Sequence, residues 1–182
     1  MENSEAITDQ LRKKRAQVQG SRDQDRLRAL YGKKLAAVVA EAIGKPLSLD
    51  NFNSKDESLP IEWPADLRDA AGLVAAYISR SDTNRLLMCV RDRLSALSGR
   101  IGFHEKPYLG FAELHGVDPV SLLAVAESTE DSVTFYSDAP AGIVMVDCYT
   151  SQPSEPFSVV VQGDELVQQL APCFQNKRDG SS

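Results

Sequence analysis

Six carboxylates, Glu127, Glu130, Asp131, Asp138, Asp147 and Glu155, crowd into one stretch of the chain, with the aromatic hydroxyl of Tyr136 among them. Carboxylates in that number either pair with cations or divide acid and base roles in hydrolysis. For hydrolysis they lack company. The two histidines, His104 and His115, have no HxH, HExxH or CxxC relation to another ligand. Asp147 and Cys148 are neighbours in a strand-like run, so they point to opposite faces and cannot act together. No glycine-rich phosphate loop is present among the 11 glycines. With no triad, metal set or cofactor fingerprint, the expectation is a protein that is not an enzyme and needs neither cofactor nor metal.

Charge gives these carboxylates a context. The chain of 182 residues has a net charge of −6 and a pI near 5.0. Residues 1–45 hold ten Lys/Arg against six Asp/Glu, +4, and residues 46–108 hold eight against nine, −1. Residues 109–182 hold two against eleven, −9, and no Lys or Arg occurs between Lys106 and Lys177. An asymmetry of this kind speaks of partners rather than of fold.

The positive end has its own candidates, Arg12, Lys13, Lys14 and Arg15, followed by Arg22, Arg26, Arg28, Lys33 and Lys34. Asp23 and Asp25 interrupt the cluster and Tyr31 is its one aromatic, so it reads as a solvated helix face rather than a nucleic-acid site. Further on, FAELHGVDPVSLLAV (residues 111–125) resembles a DNA-binding helix-turn-helix in its Ala112, Gly116, Val117, Leu122 and Val125. Its reading positions are Asp118, Pro119, Val120, Leu123 and Ala124, which neither donate to base edges nor neutralise phosphate. Nucleic acid is therefore not the expected partner. The alternative for this segment is a short helix, or a strand at 109–114.

These groups need a scaffold. Residues 1–23 read as a basic arm or frayed helix, and residues 24–174 as one α+β domain, helical over 24–100 and a sheet over 107–174. Leu27, Leu30, Tyr31, Leu35, Val38, Val39, Ala42 and Ile43 recur every three or four residues, an amphipathic helix that Gly44 and Pro46 stop. Residues 45–62 read as a mobile loop. Leu67 to Ile78 and Leu86 to Leu97 then suggest a helical hairpin ended by Gly99. Strands are expected at 121–127, 132–137, 142–149 and 156–162, with hairpin turns at 129–131 and 138–141. A short helix at ELVQQLAPCF, disturbed by Pro172, closes the domain, and residues 175–182 form a disordered tail. The expected fold is α+β, one long helix and a helical hairpin packed on an antiparallel sheet of four or five strands.

The start of the sequence lacks the apolar core of a secretory signal, no run is long enough to span a membrane, and Cys89, Cys148 and Cys173 are odd in number without paired spacing. That combination suggests a reduced, cytoplasmic protein with buried thiols. The expected function is to bind a basic protein partner such as a nuclease-type toxin through Glu127, Glu130, Asp131, Asp138, Asp147 and Glu155 with Tyr136 as aromatic anchor, in the manner of a bacterial immunity protein. An acidic secretion or folding chaperone and a nucleic-acid-binding regulator using the basic arm are the alternatives. Oligomeric state does not follow from the sequence.

Overall fold

A computed structural model describes residues 2–53, 73–148 and 157–174. The chain is α+β, as its patterning implies. Helix α1 (Glu2–Ile43) leads through a 3-10 turn at Leu49–Asn51 into strand β1 (Phe52–Asn53). Strand β2 (Leu73–Ile78), helix α2 (Arg80–Arg93), strand β3 (Leu97–Phe103), a 3-10 turn at Pro107–Leu109 and strand β4 (Phe111–Val117) follow. Then come helix α3 (Ser121–Thr129), strands β5 (Val133–Ala139), β6 (Ala141–Cys148) and β7 (Phe157–Gln162), and helix α4 (Asp164–Phe174).

Among the described residues the strands form one sheet of seven, rather than four or five, in the order β1-β4-β3-β5-β6-β7-β2. Every neighbouring pair is antiparallel. Val133 and Phe135 of β5, Val144 and Val146 of β6, and Val159 and Val161 of β7 share the face on which α3 and α4 pack. Helix α1 lies on α3, and α2 on α4.

The sequence patterns at β5, β6, β7 and α4 match this architecture, and the turn at 138–141 is a hairpin that includes a cis Ala139–Pro140 peptide. Pro172 lies inside α4 without ending it. Other expectations are overturned. Residues 121–127 are helical, because Leu122, Val125, Ala126 and Thr129 repeat at helical spacing and are all buried. Asp118 accepts the Val120 amide at 3.1 Å in the turn that leads into that helix. The turn at 129–131 thus joins a helix to a strand. Helix α2 matches the second arm of the expected hairpin, but residues 73–78 of the first arm are a strand in a six-residue ladder with β7; the start of that arm lies outside the described residues. The expected loop at 45–62 holds a 3-10 turn and β1 as far as residue 53. Its remainder and the tail at 175–182 lie outside the described residues.

Residues 97–103 form β3 rather than the end of a helix. Gly99 is not a stop but a point of close approach. At φ +157 it stands where a Cβ would lie 1.9 Å from the Tyr136 carbonyl oxygen, at an irregularity in the ladder. The helix-turn-helix resemblance fails as well, since residues 111–117 are strand β4. The supposed arm is helical from Glu2, and Leu27, Leu30 and Tyr31 are exposed while Ala36, Val39 and Ile43 carry the helix's buried stripe.

The cysteine expectation also gives way. Cys89 on α2 and Cys173 on α4 form a disulfide across 84 positions of sequence, which leaves Cys148 as the free thiol. No local spacing could announce that bond, since it depends on two helices packing together.

Candidate functional site

At the C-terminal end of α3 the chain turns through Glu130, whose φ of 49 and ψ of 50 are left-handed. Glycine or asparagine usually fills such a position, because a larger side chain crowds its own backbone there. The Thr129 hydroxyl folds back on the Val125 carbonyl at 2.7 Å, and the Asp131 amide reaches the Ala126 carbonyl at 3.3 Å. This tight turn gives adjacent carboxylates opposite surroundings. Glu127 and Glu130 stay exposed, and Asp131 is buried at 3% exposure.

Asp131 is fully engaged. Its Oδ1 accepts the Glu105 amide at 2.9 Å, and its Oδ2 pairs with Lys106 Nζ at 3.2 Å. Burial pushes its carboxyl above the usual range, and the Glu105 amide and Lys106 only partly oppose that. It is therefore withdrawn from the partner-binding set, because its charge is satisfied within the chain.

Asp147, near the end of β6, alternates onto the sheet face opposite α3, yet lies at the same end of the sheet as Glu127 and Glu130. The Ser132 hydroxyl donates to its Oδ1 at 2.7 Å, and the fields of Glu127, Asp147 and Glu130 all converge on the neighbouring Cys148. Burial first, and then those three carboxylates, raise the Cys148 thiol above its ordinary range, with Arg80 opposing. A thiol held protonated is a poor nucleophile.

Tyr136 does not anchor an open face. It is 9% exposed, on a strand flanked by β3 and β6, with its ring edge-on to Phe111 at 5.9 Å between centroids. Burial raises its hydroxyl as well. Strand alternation does set it on the face opposite Val133 and Phe135, but that face is itself buried at Thr134, Met145, Ser158 and Val160.

Asp138 is exposed in the β5–β6 hairpin, at the far end of β5 from the α3 turn. Near it the Ala141 amide donates to Glu165 Oε2 at 2.9 Å. Glu155 lies outside the described residues. Apart from Glu155, the predicted set thus resolves into three residues at one end, one at the other, and two that are buried.

No protein-family model, curated protein or solved structure matches the chain. The site has to be judged on its own chemistry. The last turn of α3 contains no basic residue, so Glu127 and Glu130 reinforce the partial negative charge of the helix's carbonyl end instead of cancelling it. Such a surface attracts cations. Among the described residues no three His, Cys, Asp or Glu side chains are placed to hold one metal ion, and none of the helices is long and apolar enough to cross a membrane. His115 contacts Glu113 at 3.3 Å on an exposed stretch of strand.

Several residues escape sequence reasoning. Glu105 and Lys106 reach Asp131 across the β3–β5 pairing and Ser132 reaches Asp147 across the β5–β6 pairing, and nothing local marks them. Arg28, counted with the basic cluster, donates instead to the carbonyls of Leu49 at 3.0 Å, Tyr108 at 3.2 Å, Phe52 and Leu109. Its task is to tie α1 to both 3-10 turns.

Proposed function

We propose that this is a non-enzymatic binding protein whose acidic end, Glu127, Glu130 and Asp147, holds a basic protein partner. The observation that carries this reading is the placement of two exposed glutamates on the negative end of α3, one of them in a left-handed conformation. A fold optimised for stability alone would put Gly at that cap and a Lys or Arg in that turn. Retaining Glu in both positions suggests that the negative potential has a use. Binding would act by occlusion, with carboxylates pairing the Lys and Arg through which a nuclease-type toxin grips phosphate, and long-range attraction speeding the encounter. Toxin-neutralising immunity proteins are the class that fits best.

The test is co-purification with a compact, high-pI partner whose own activity falls on binding, with affinity that drops as salt rises. Combining Glu127→Lys, Glu130→Lys and Asp147→Lys should abolish the association. Full retention of the partner by that variant, or a partner that is an unfolded client with unaltered activity, would overturn the reading. So would turnover of any substrate that Cys148→Ala or His104→Ala abolishes.

A further inference from the structure

Directly opposite the buried stripe of α1 runs a second stripe: Gly20, Asp23, Leu27, Leu30, Lys34, Ala37 and Glu41. The spacing alternates three and four, the repeat by which one helix presents a continuous seam to another. Every member of the stripe is exposed, including Leu27 at 37% and Leu30 at 61%. Large aliphatic side chains at the centre of a helix's outer seam call for a cover.

The order of residues along the seam says what that cover is. We propose that it is a second copy of this chain, its α1 lying antiparallel on the first and crossing between Arg28 and Ala29. In that register Leu27 meets Leu30 of the other copy, Asp23 meets Lys34, and Gly20 meets Ala37, each pair occurring twice about a two-fold axis. The apolar pairs fall in the middle, ion pairs flank them, and small residues beyond let the helix backbones approach. A parallel pair would stack Lys34 on Lys34 and Asp23 on Asp23, which the charges oppose. Each domain body packs against the inner stripe, so the two bodies sit on opposite outer sides of the helix pair and do not collide. Arg26 and Lys33 border the seam with like charge, so the affinity is moderate and the dimer forms with rising concentration. The pairing uses none of Glu127, Glu130 or Asp147 and stands independently of the partner-binding proposal.

Analytical ultracentrifugation of the full chain tests it. The wild type should show a monomer–dimer equilibrium. Asp23→Lys and Lys34→Asp, each alone, turn two attractions into two repulsions and should weaken self-association about tenfold. Mixing those two variants should restore it. In the mixed dimer the lysine introduced at position 23 of one copy faces the aspartate introduced at position 34 of the other, and the remaining native Lys34 and Asp23 face each other. Leu27→Asp with Leu30→Asp should give a monomer whose circular dichroism is unchanged. A wild type that stays monomeric at every concentration overturns the proposal. Dimers indifferent to the charge swaps, or swapped variants that fail to rescue one another, would also sink it.

Discussion

Glu130 and Asp131 are adjacent acids with opposite fates, and the contrast extends to the regions around them. Asp131 belongs to a closed junction in which an amide and an ammonium satisfy both carboxylate oxygens and tie the α3–β5 turn to the end of β3. Glu130, with Glu127 and Asp147, belongs to an open one, where like charges gather at a helix end of the same sign. Both regions work against stability, the first by burying a charge and the second by crowding charges. Only the first satisfies both carboxylate oxygens inside the chain; in the second, the Ser132 hydroxyl serves Asp147. An acidic surface that is only partly compensated is where a partner's cations have most to contribute.

Substitutions can break or sharpen this contrast. The largest effect should come from Asp131→Ala, which leaves Lys106 without its carboxylate and the Glu105 amide without its acceptor; we expect a loss of about 3 kcal/mol. The urea midpoint should fall with little change in slope. A loss no greater than that of an ordinary surface substitution would erase the distinction between the two regions.

Glu130→Gly should act in the opposite direction, raising stability by about 1 kcal/mol because glycine adopts the left-handed cap without strain. The same change should weaken partner binding, which pairs a gain in stability with a loss of function. A smaller gain, about 0.5 kcal/mol, is expected for Glu127→Lys, which sets a cation at the carbonyl end of α3. Thermal unfolding of both variants beside the wild type would check the order.

The last difference is one of pH. Burial raises the Asp131 pKa in the folded state, so between its unfolded and folded values the folded chain holds a proton that the unfolded chain has released. Stability from this group is therefore greater on the acid side of that window and falls as pH rises through it. Asp131→Asn lacks the titration, and the wild type should lose ground to it as the pH climbs above about 4, the ordinary aspartate value. A difference that does not vary with pH would contradict the assignment.

Legibility in the sequence follows the range of the interactions. Strands β5, β6 and β7 and helix α4 are readable because apolar runs and turn residues lie side by side in the chain. Helix α3 reads as a strand, since SLLAVAE is a short apolar run that suits either state until its burial against α1 and the sheet decides. The strand character of 73–78 comes from a ladder to the distant residues 157–162, and that of 97–103 from pairing on both edges. At the candidate site, composition identifies the acidic stretch. It cannot say that Tyr136 and Asp131 are buried.

What the sequence determined by itself is additive along the chain: the segregation of charge, the α+β class, and the amphipathic helix that ends at Ile43. Tertiary structure decided what depends on distant neighbours, namely which carboxylates are exposed, which cysteines bond, and which apolar residues of α1 meet the core. The reason is that charge sums residue by residue, whereas burial and pairing exist only between elements that the fold brings together.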